Sequence, residues 1–183
     1  MASYTSGELA KAFKRVRGNT IRVAEEIPGE EYSFQPTPES RSIARHLAHN
    51  AVAPRMQEHI HRHEIRDFSK VDVPALLREI IELELVPRTK AEVLALLREE
   101  GERFGSFLDG LSDEFLDQRV MTPGDPSPTK SRLEMLMGVK EHEMHHRGRL
   151  MPIQRMLGIV PRLTRQREER LGPEIAHAPK ERA

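Results

Sequence analysis

Apolar residues recur along the first part of the chain with helical spacing. Leu9, Phe13, Val16, Thr20, Val23 and Ile27 step by four and three, drawing one narrow stripe. Thr5 or Ser6 can cap the start, and Pro28-Gly29 stops the pattern, so the spacing predicts a helix over 6–27. Residues 30–39, with Pro36 and Pro38, read as an irregular crossing. Ser40 or Ser42 then caps a second helix through SIARHLAHNAVAPRMQEHIHRHEI. Pro54 lies inside it and must kink the helix or open a turn, because it lacks an N–H and crowds the preceding turn. After a loop near 67–73, PALLREIIELEL predicts a short helix with Pro74 near its start. Thr89 caps a third long helix with the stripe Val93, Leu97, Phe104, Leu108 and Leu111. Gly101 and Gly105 weaken that helix by roughly 1 kcal/mol each relative to Ala.

The segment RVMTPGDPSP, residues 119–128, reads as a Pro/Gly-rich connection, and the last long helix is predicted over 129–157, with a kink at Pro152. No strand-like alternation and no internal repeat stand out. The pattern predicts an all-α fold: a four-helix bundle with short additional helices in the connections, spanning residues 1–160. Residues 161–183 are polar and read as a loose tail or partner arm.

Composition narrows this picture. The 183 residues suit one domain with a single sizeable core. Lys+Arg and Asp+Glu both number 29, so no net field calls for nucleic acid or a membrane surface. Charged residues make up 32% and aromatics 4%, so aliphatic and Met side chains must fill the core. Without cysteine there is no disulfide framework, thiolate metal site or thiol nucleophile, which fits a reducing cytoplasm. The first residues lack the apolar run of a secretory signal, and no stretch approaches the ~20 apolar residues that span a bilayer.

The nine histidines are unevenly placed. At about 100° per residue, His142 and His146 fall on the stripe of Met135, Val139, Leu150 and Ile153, whereas His145 falls outside it. On the second helix His49 shares a stripe with Ala53, Met56 and Ile60. His46 sits farther round, a weaker ligand candidate, and His59, His61 and His63 read as a solvated face. Neutral imidazoles entering an apolar core are costly unless something satisfies their nitrogens, and a divalent ion does so. An i, i+4 pair projects side by side and can chelate one ion; a third His from a facing helix leaves open positions, as catalytic sites do. Periodicity alone does not establish that the second and last helices face each other.

Two segments resemble the DinB-like superfamily of four-helix-bundle proteins. SIARHLAHN is similar to the family's second-helix segment, with a His seven residues after a Ser (Ser42, His49). KEHEMHHRGRL is similar to its last-helix motif, a His four residues before a His-Arg-Gly step (His142, His146, Arg147, Gly148). PGEEYSFQPTPESRS resembles the connection between the first two helices, and the likeness covers most of residues 8–158. The resemblance implies a homodimer-forming bundle and one divalent ion per chain, zinc or nickel first, on His49, His142 and His146. It also implies a small-molecule substrate and, as in the family's thiol-dependent S-transferases and isomerase, a low-molecular-weight thiol cosubstrate whose pKa the metal lowers. Arg149 stands where many members have Gln, which puts a polar contact at that position in doubt. The absence of Cys fits an external thiol and a metal-bound hydroxide equally well.

Two other readings compete. His142-Glu143-Met144-His145-His146 matches H-E-x-x-H, in which Glu143 would be the general base of a zinc peptidase. The extended form with Gly and a third His is missing, leaving Glu168, Glu169 or Glu174 as third ligand, and no sheet edge is predicted to hold a peptide. A non-catalytic bundle stabilised by its metal is the second alternative. In a bundle enzyme, Glu143 and Arg147 are the candidate catalytic residues, as a proton acceptor near the metal and as an anion contact. Arg162, Arg165 and Arg167 are balanced by Glu168 and Glu169 and read as a solvated face rather than a nucleic-acid patch.

Overall fold

The computed structural model describes residues 4–122 and 128–172. Its first helix, α1 (Ser6–Glu26), starts at Thr5, whose side chain and that of Glu8 cap each other's backbone N–H groups. The predicted second helix is two: α2 (Ile43–Val52) and α3 (Pro54–Arg62), with Pro54 at the first turn of α3, where its missing N–H costs nothing. The short helix α4 (Val73–Leu85) packs on both. Thr89 and Glu92 form a second capping box at the start of α5 (Lys90–Asp109). After the single turn of α6 (Asp113–Asp117), α7 (Arg132–Met156) closes the bundle. The long members are α1, α2 with α3, α5 and α7, so the four-helix bundle with short helices in its connections is the observed fold.

Two differences from the sequence reading have physical causes. Residues 119–121 of the predicted connection and 129–131 of the predicted last helix pair as antiparallel strands, β1 (Arg119–Met121) and β2 (Thr129–Ser131), with Val120 opposite Lys130. Three residues are too few for alternation to register, and only Val120 is buried there, against Ile60 and Met135. The last helix therefore starts at 132, capped by Ser131 and Glu134. Pro152 lies inside α7, which continues to Met156. In the stretch read as a loose tail, residues Arg162–Leu171 form α8, held by Arg165 Nη2 on Glu26 Oε1 at 2.6 Å and Arg155 Nη2 on Thr164 Oγ1 at 2.8 Å. Glu174, His177 and the centre of the 119–128 connection lie outside the described residues.

Gly101 is a packing requirement rather than a weak point, whereas Gly105 meets the movable end of a lysine. A Cβ at Gly101 would lie 2.7 Å from Arg17 Cγ, and one at Gly105 would lie 2.5 Å from Lys14 Cε. The absent side chains let α1 cross close to α5. Among the described residues, no helix is long and apolar enough to cross a membrane.

Candidate metal centre

His49 sits in the last turn of α2 and faces α7, where His142 and His146 stand one turn apart. Each offers a ring nitrogen, and these three atoms lie within 4.8 Å of one another. The ring centroids are 4.4 Å apart for His142–His146, 4.5 Å for His49–His146 and 5.1 Å for His49–His142. His146 is buried, His49 half-buried and His142 exposed, so the cluster opens outward past His142.

The protonation states follow from the partners. Glu84 Oε2 lies 3.0 Å from His49 Nδ1. A carboxylate only accepts, so Nδ1 carries the proton and the lone pair is on Nε2, which lies 3.4 Å from His142 Nε2. Burial pushes the Glu84 carboxyl up, but the Arg41 and Arg45 guanidiniums, 2.6 and 2.8 Å from Oε1, outweigh it and hold the group below its ordinary value. Burial, then mutual repulsion with the neighbouring histidines, lowers His142 to about 4 and His146 to about 3. Burial also lowers His49, against the pull of Glu84. All three rings are thus neutral near pH 7, the state that donates a lone pair to a metal. His146 Nδ1 is buried with no hydrogen-bond partner among the described residues. Three converging lone-pair donors, one of them orphaned, fit a divalent ion.

The other candidates fall elsewhere. His46 is 6% exposed, and its Nε2 donates to the His146 carbonyl at 2.9 Å, bracing α2 on α7 rather than joining the cluster. His145 is exposed. Glu143 and Arg147 are not brought together with the histidines: both turn toward α1. Glu143 takes Arg17 Nε on its two oxygens at 3.0 and 3.1 Å, and Arg147 Nη1 donates to the Val16 carbonyl at 3.1 Å. Their side chains leave α7 on the side opposite to the work predicted for them. Arg149 is exposed and shares a cavity wall with Arg41, Arg45 and His46.

His61 corrects the reading of a solvated face. It is 1% exposed, with Nδ1 3.0 Å from Arg132 Nη1, on the buried stripe that runs from Ile43, Leu47 and Asn50 through Pro54 and Glu58. His59 and His63 are exposed and stack at 4.5 Å. Sequence reasoning missed Glu84, Arg41 and Arg45; a lone Glu on an apolar helix face, with its two arginines about forty residues earlier, carries no local spacing signal.

Beside the cluster lies a cavity of about 290 Å³, lined by His49 and His142 together with Met56, Ile80, Met135 and Val139. Apart from the imidazoles and Gln57, whose Oε1 is buried without a partner among the described residues, those walls are apolar.

Comparison with known proteins bears on this arrangement. Residues 12–150 match the DinB superfamily. A DinB-like protein of Bacillus subtilis (YjoA) shares 20% identity and superposes with a TM-score of 0.61, over 84% of this chain and 94% of its own. YfiT of Bacillus subtilis, described as a probable metal-dependent hydrolase with an unusual four-helix bundle topology, shares 13% identity at a TM-score of 0.62, over 87% and 91%. A Streptococcus pneumoniae protein shares 16% at 0.63, over 85% and 93%. At these identities the likeness is one of fold. No curated protein matches the sequence significantly.

Proposed function

Since the chain belongs to the DinB superfamily, we propose that it is a metal-dependent enzyme in which His49, His142 and His146 hold one divalent ion and a small apolar substrate enters the adjoining cavity. The convergence of three neutral imidazoles on an outward-opening point carries this reading. Imidazole nitrogens suit zinc and nickel. A divalent ion bound there lowers the pKa of a water or a low-molecular-weight thiol, making either a nucleophile at neutral pH.

The chain's own residues supply the rest. Glu84, charged and clamped by Arg41 and Arg45, fixes the His49 tautomer and orientation. Met56, Ile80, Met135 and Val139 exclude water from one side of the cluster and select an apolar substrate. With no cysteine in the chain, the nucleophile comes from solution. The description of YfiT supports water and hydrolysis; the superfamily's thiol-dependent transferases support a thiol.

Two rival readings have less support. In a zinc peptidase Glu143 would be the general base, yet its carboxylate is bound to Arg17 inside the bundle, and the described sheet is two three-residue strands. In a purely structural site a fourth protein ligand would close the coordination, whereas the cluster gathers three histidines among the described residues and Glu84 is committed to His49 Nδ1. Homodimerisation is part of the same proposal, supported by the exposed apolar row on α4.

The test is metal content by mass spectrometry on untagged wild type and His49→Ala, followed by turnover of apolar esters, amides and electrophiles with and without added thiol. About one ion per chain that is lost in the variant is expected. A variant that keeps its metal overturns the ligand set; a metal-loaded protein inert toward both nucleophiles overturns the enzyme.

A further inference from the structure

Arg132 is wholly buried, yet no carboxylate pairs with it among the described residues. Its Nε donates to Gln118 Oε1 at 3.1 Å, its Nη1 donates to His61 Nδ1 at 3.0 Å, and its guanidinium carbon lies 4.4 Å from the centre of the Phe115 ring. Its Nη2 is buried without a partner. A buried cation without a counter-charge is among the costliest features a fold can carry. Because a guanidinium only donates, His61 Nδ1 must accept, and the proton of this neutral ring sits on Nε2. His61 Nε2 is also buried without a partner. One positive charge and two unsatisfied N–H donors therefore share one cluster, and what they lack is an oxyanion. A trapped water would supply an acceptor but leave the charge uncompensated.

The same cluster borders a cavity of about 900 Å³, whose wall includes His61 and Phe115 along with Phe107 and Leu111. The Arg62 guanidinium stacks 4.7 Å from the Phe107 ring centre. The rim cations already have partners: Arg62 and Arg103 both reach Glu58 at 2.8 Å, and Arg103 also reaches Glu100. The cation without a hydrogen-bonded carboxylate thus belongs to Arg132: Glu64, on the same wall, acts on it only through space, and Ser106 and Ser112 share that wall with Phe107, Phe115 and Leu111. This cavity shares no lining residue with the one beside His49 and His142.

From this cluster we infer that the cavity between α3, α5 and α6 is a second binding site, taking a small molecule that joins a carboxylate to an aromatic body. The carboxylate accepts from His61 Nε2 and neutralises Arg132, while Phe107 and Phe115 face the ring. The inference is independent of the histidine centre.

The probe is benzoate, titrated into full-length ¹⁵N-labelled wild type against acetate at equal ionic strength. The His61 imidazole ¹⁵N and Arg132 Nε resonances are followed, with thermal unfolding in parallel. Benzoate is expected to shift both resonances saturably and to raise Tm by ligand linkage, with acetate producing a much smaller effect. Arg132→Met should abolish the Tm rise, and His49→Ala should retain it. Unmoved His61 and Arg132 resonances overturn the site, whether or not Arg132→Met folds. So does a benzoate effect that survives Arg132→Met or vanishes in His49→Ala. Equal effects of acetate and benzoate overturn the aromatic part of the assignment.

Discussion

Arg17 and Glu143 form an ion pair at the centre of the bundle, Nε to carboxylate at 3.0 and 3.1 Å, with the two side chains 3% and 2% exposed. The same guanidinium donates from Nη1 to the Leu97 carbonyl at 3.0 Å and from Nη2 to the Asn50 carbonyl at 2.8 Å. One side chain of α1 thereby ties α7, α5 and α2 together. It lies one residue from His142 in sequence through Glu143, and so fixes the rotation of α7 that aims His142 and His146 at His49.

Breaking this pair on one side should be far worse than removing it. Glu143→Leu strands a buried guanidinium and should cost roughly 3–5 kcal/mol, whereas Arg17→Met with Glu143→Leu should recover much of that loss. Urea unfolding of the two variants checks it. A single variant as stable as wild type would show that the pair does not organise the core. Glu143→Gln, read by metal content, should keep the ion bound, since Glu143 faces α1 and not the histidines.

Glu84→Gln tests the support behind His49. The amide keeps the shape but gives up the charge that orients Nδ1–H and strengthens Nε2 as a donor. Metal affinity, measured by chelator competition, should fall about 10–100-fold while saturating stoichiometry stays at that of wild type. Undiminished affinity would reduce Glu84 to a buried anchor for Arg41 and Arg45.

The two glycines of α5 should respond differently to alanine, although both gain roughly 1 kcal/mol in helix propensity. At Gly105 the new Cβ meets the end of Lys14, whose side chain is 44% exposed and can swing away, so Gly105→Ala should be neutral or stabilising. At Gly101 it meets Cγ of Arg17, held by its bonds to Glu143, Leu97 and Asn50, so Gly101→Ala should cost about 1–3 kcal/mol. Thermal unfolding of both variants checks the contrast; equal responses would refute the rigidity assigned to Arg17.

How far the sequence discloses this protein depends on the range of each signal. Thr5 and Thr89 announce helix starts, with Glu8 and Glu92 three residues on, and those caps are present, whereas the last helix, read from 129, is capped by Ser131. His142 and His146 share a face by helical arithmetic alone. That His49 meets them required two helices to face each other, which periodicity does not encode but family resemblance suggested. Glu84, His61 and the direction of Glu143 were illegible for one reason. Each is set by a partner from another element: Arg41 and Arg45, Arg132, and Arg17. Gly101 looked like a propensity loss because its benefit lies in the neighbouring helix.

Acid should destabilise the protein before its carboxylates titrate. Burial, then the Arg132 charge, lowers His61 to about 3, and burial lowers His46 to about 4. In the unfolded chain both take up protons near 6.5. Between that value and the folded ones the unfolded state binds more protons, so stability is complete above about pH 6.5 and falls as pH falls. Each such His contributes a slope of about 1.4 kcal/mol per pH unit within its window. His61→Gln should flatten the slope between pH 6 and 4 by about one proton, read from urea midpoints on metal-free protein. An unchanged slope would mean His61 is accessible to protons in the folded state.

The outer face of α4 carries the prediction about assembly. Leu77, Ile81 and Leu85 recur every four residues and are 40%, 44% and 52% exposed, followed by Val86 at 48%, while Ile80 and Glu84 between them turn inward. A row of three large apolar side chains on α4, extended by its capping Val86, is more than scattered surface hydrophobics, and a second copy presenting the same row would cover it by two-fold symmetry. Leu77 and Ile80 also line the cavity beside His49 and His142, so a partner docked on α4 would border the substrate entrance. Sedimentation equilibrium should therefore give a dimer for wild type. Ile81→Glu should give a monomer of unchanged helix content by circular dichroism, with metal stoichiometry retained and turnover altered. A monomeric wild type would rule out the homodimer, and a dimeric Ile81→Glu would move the interface off α4.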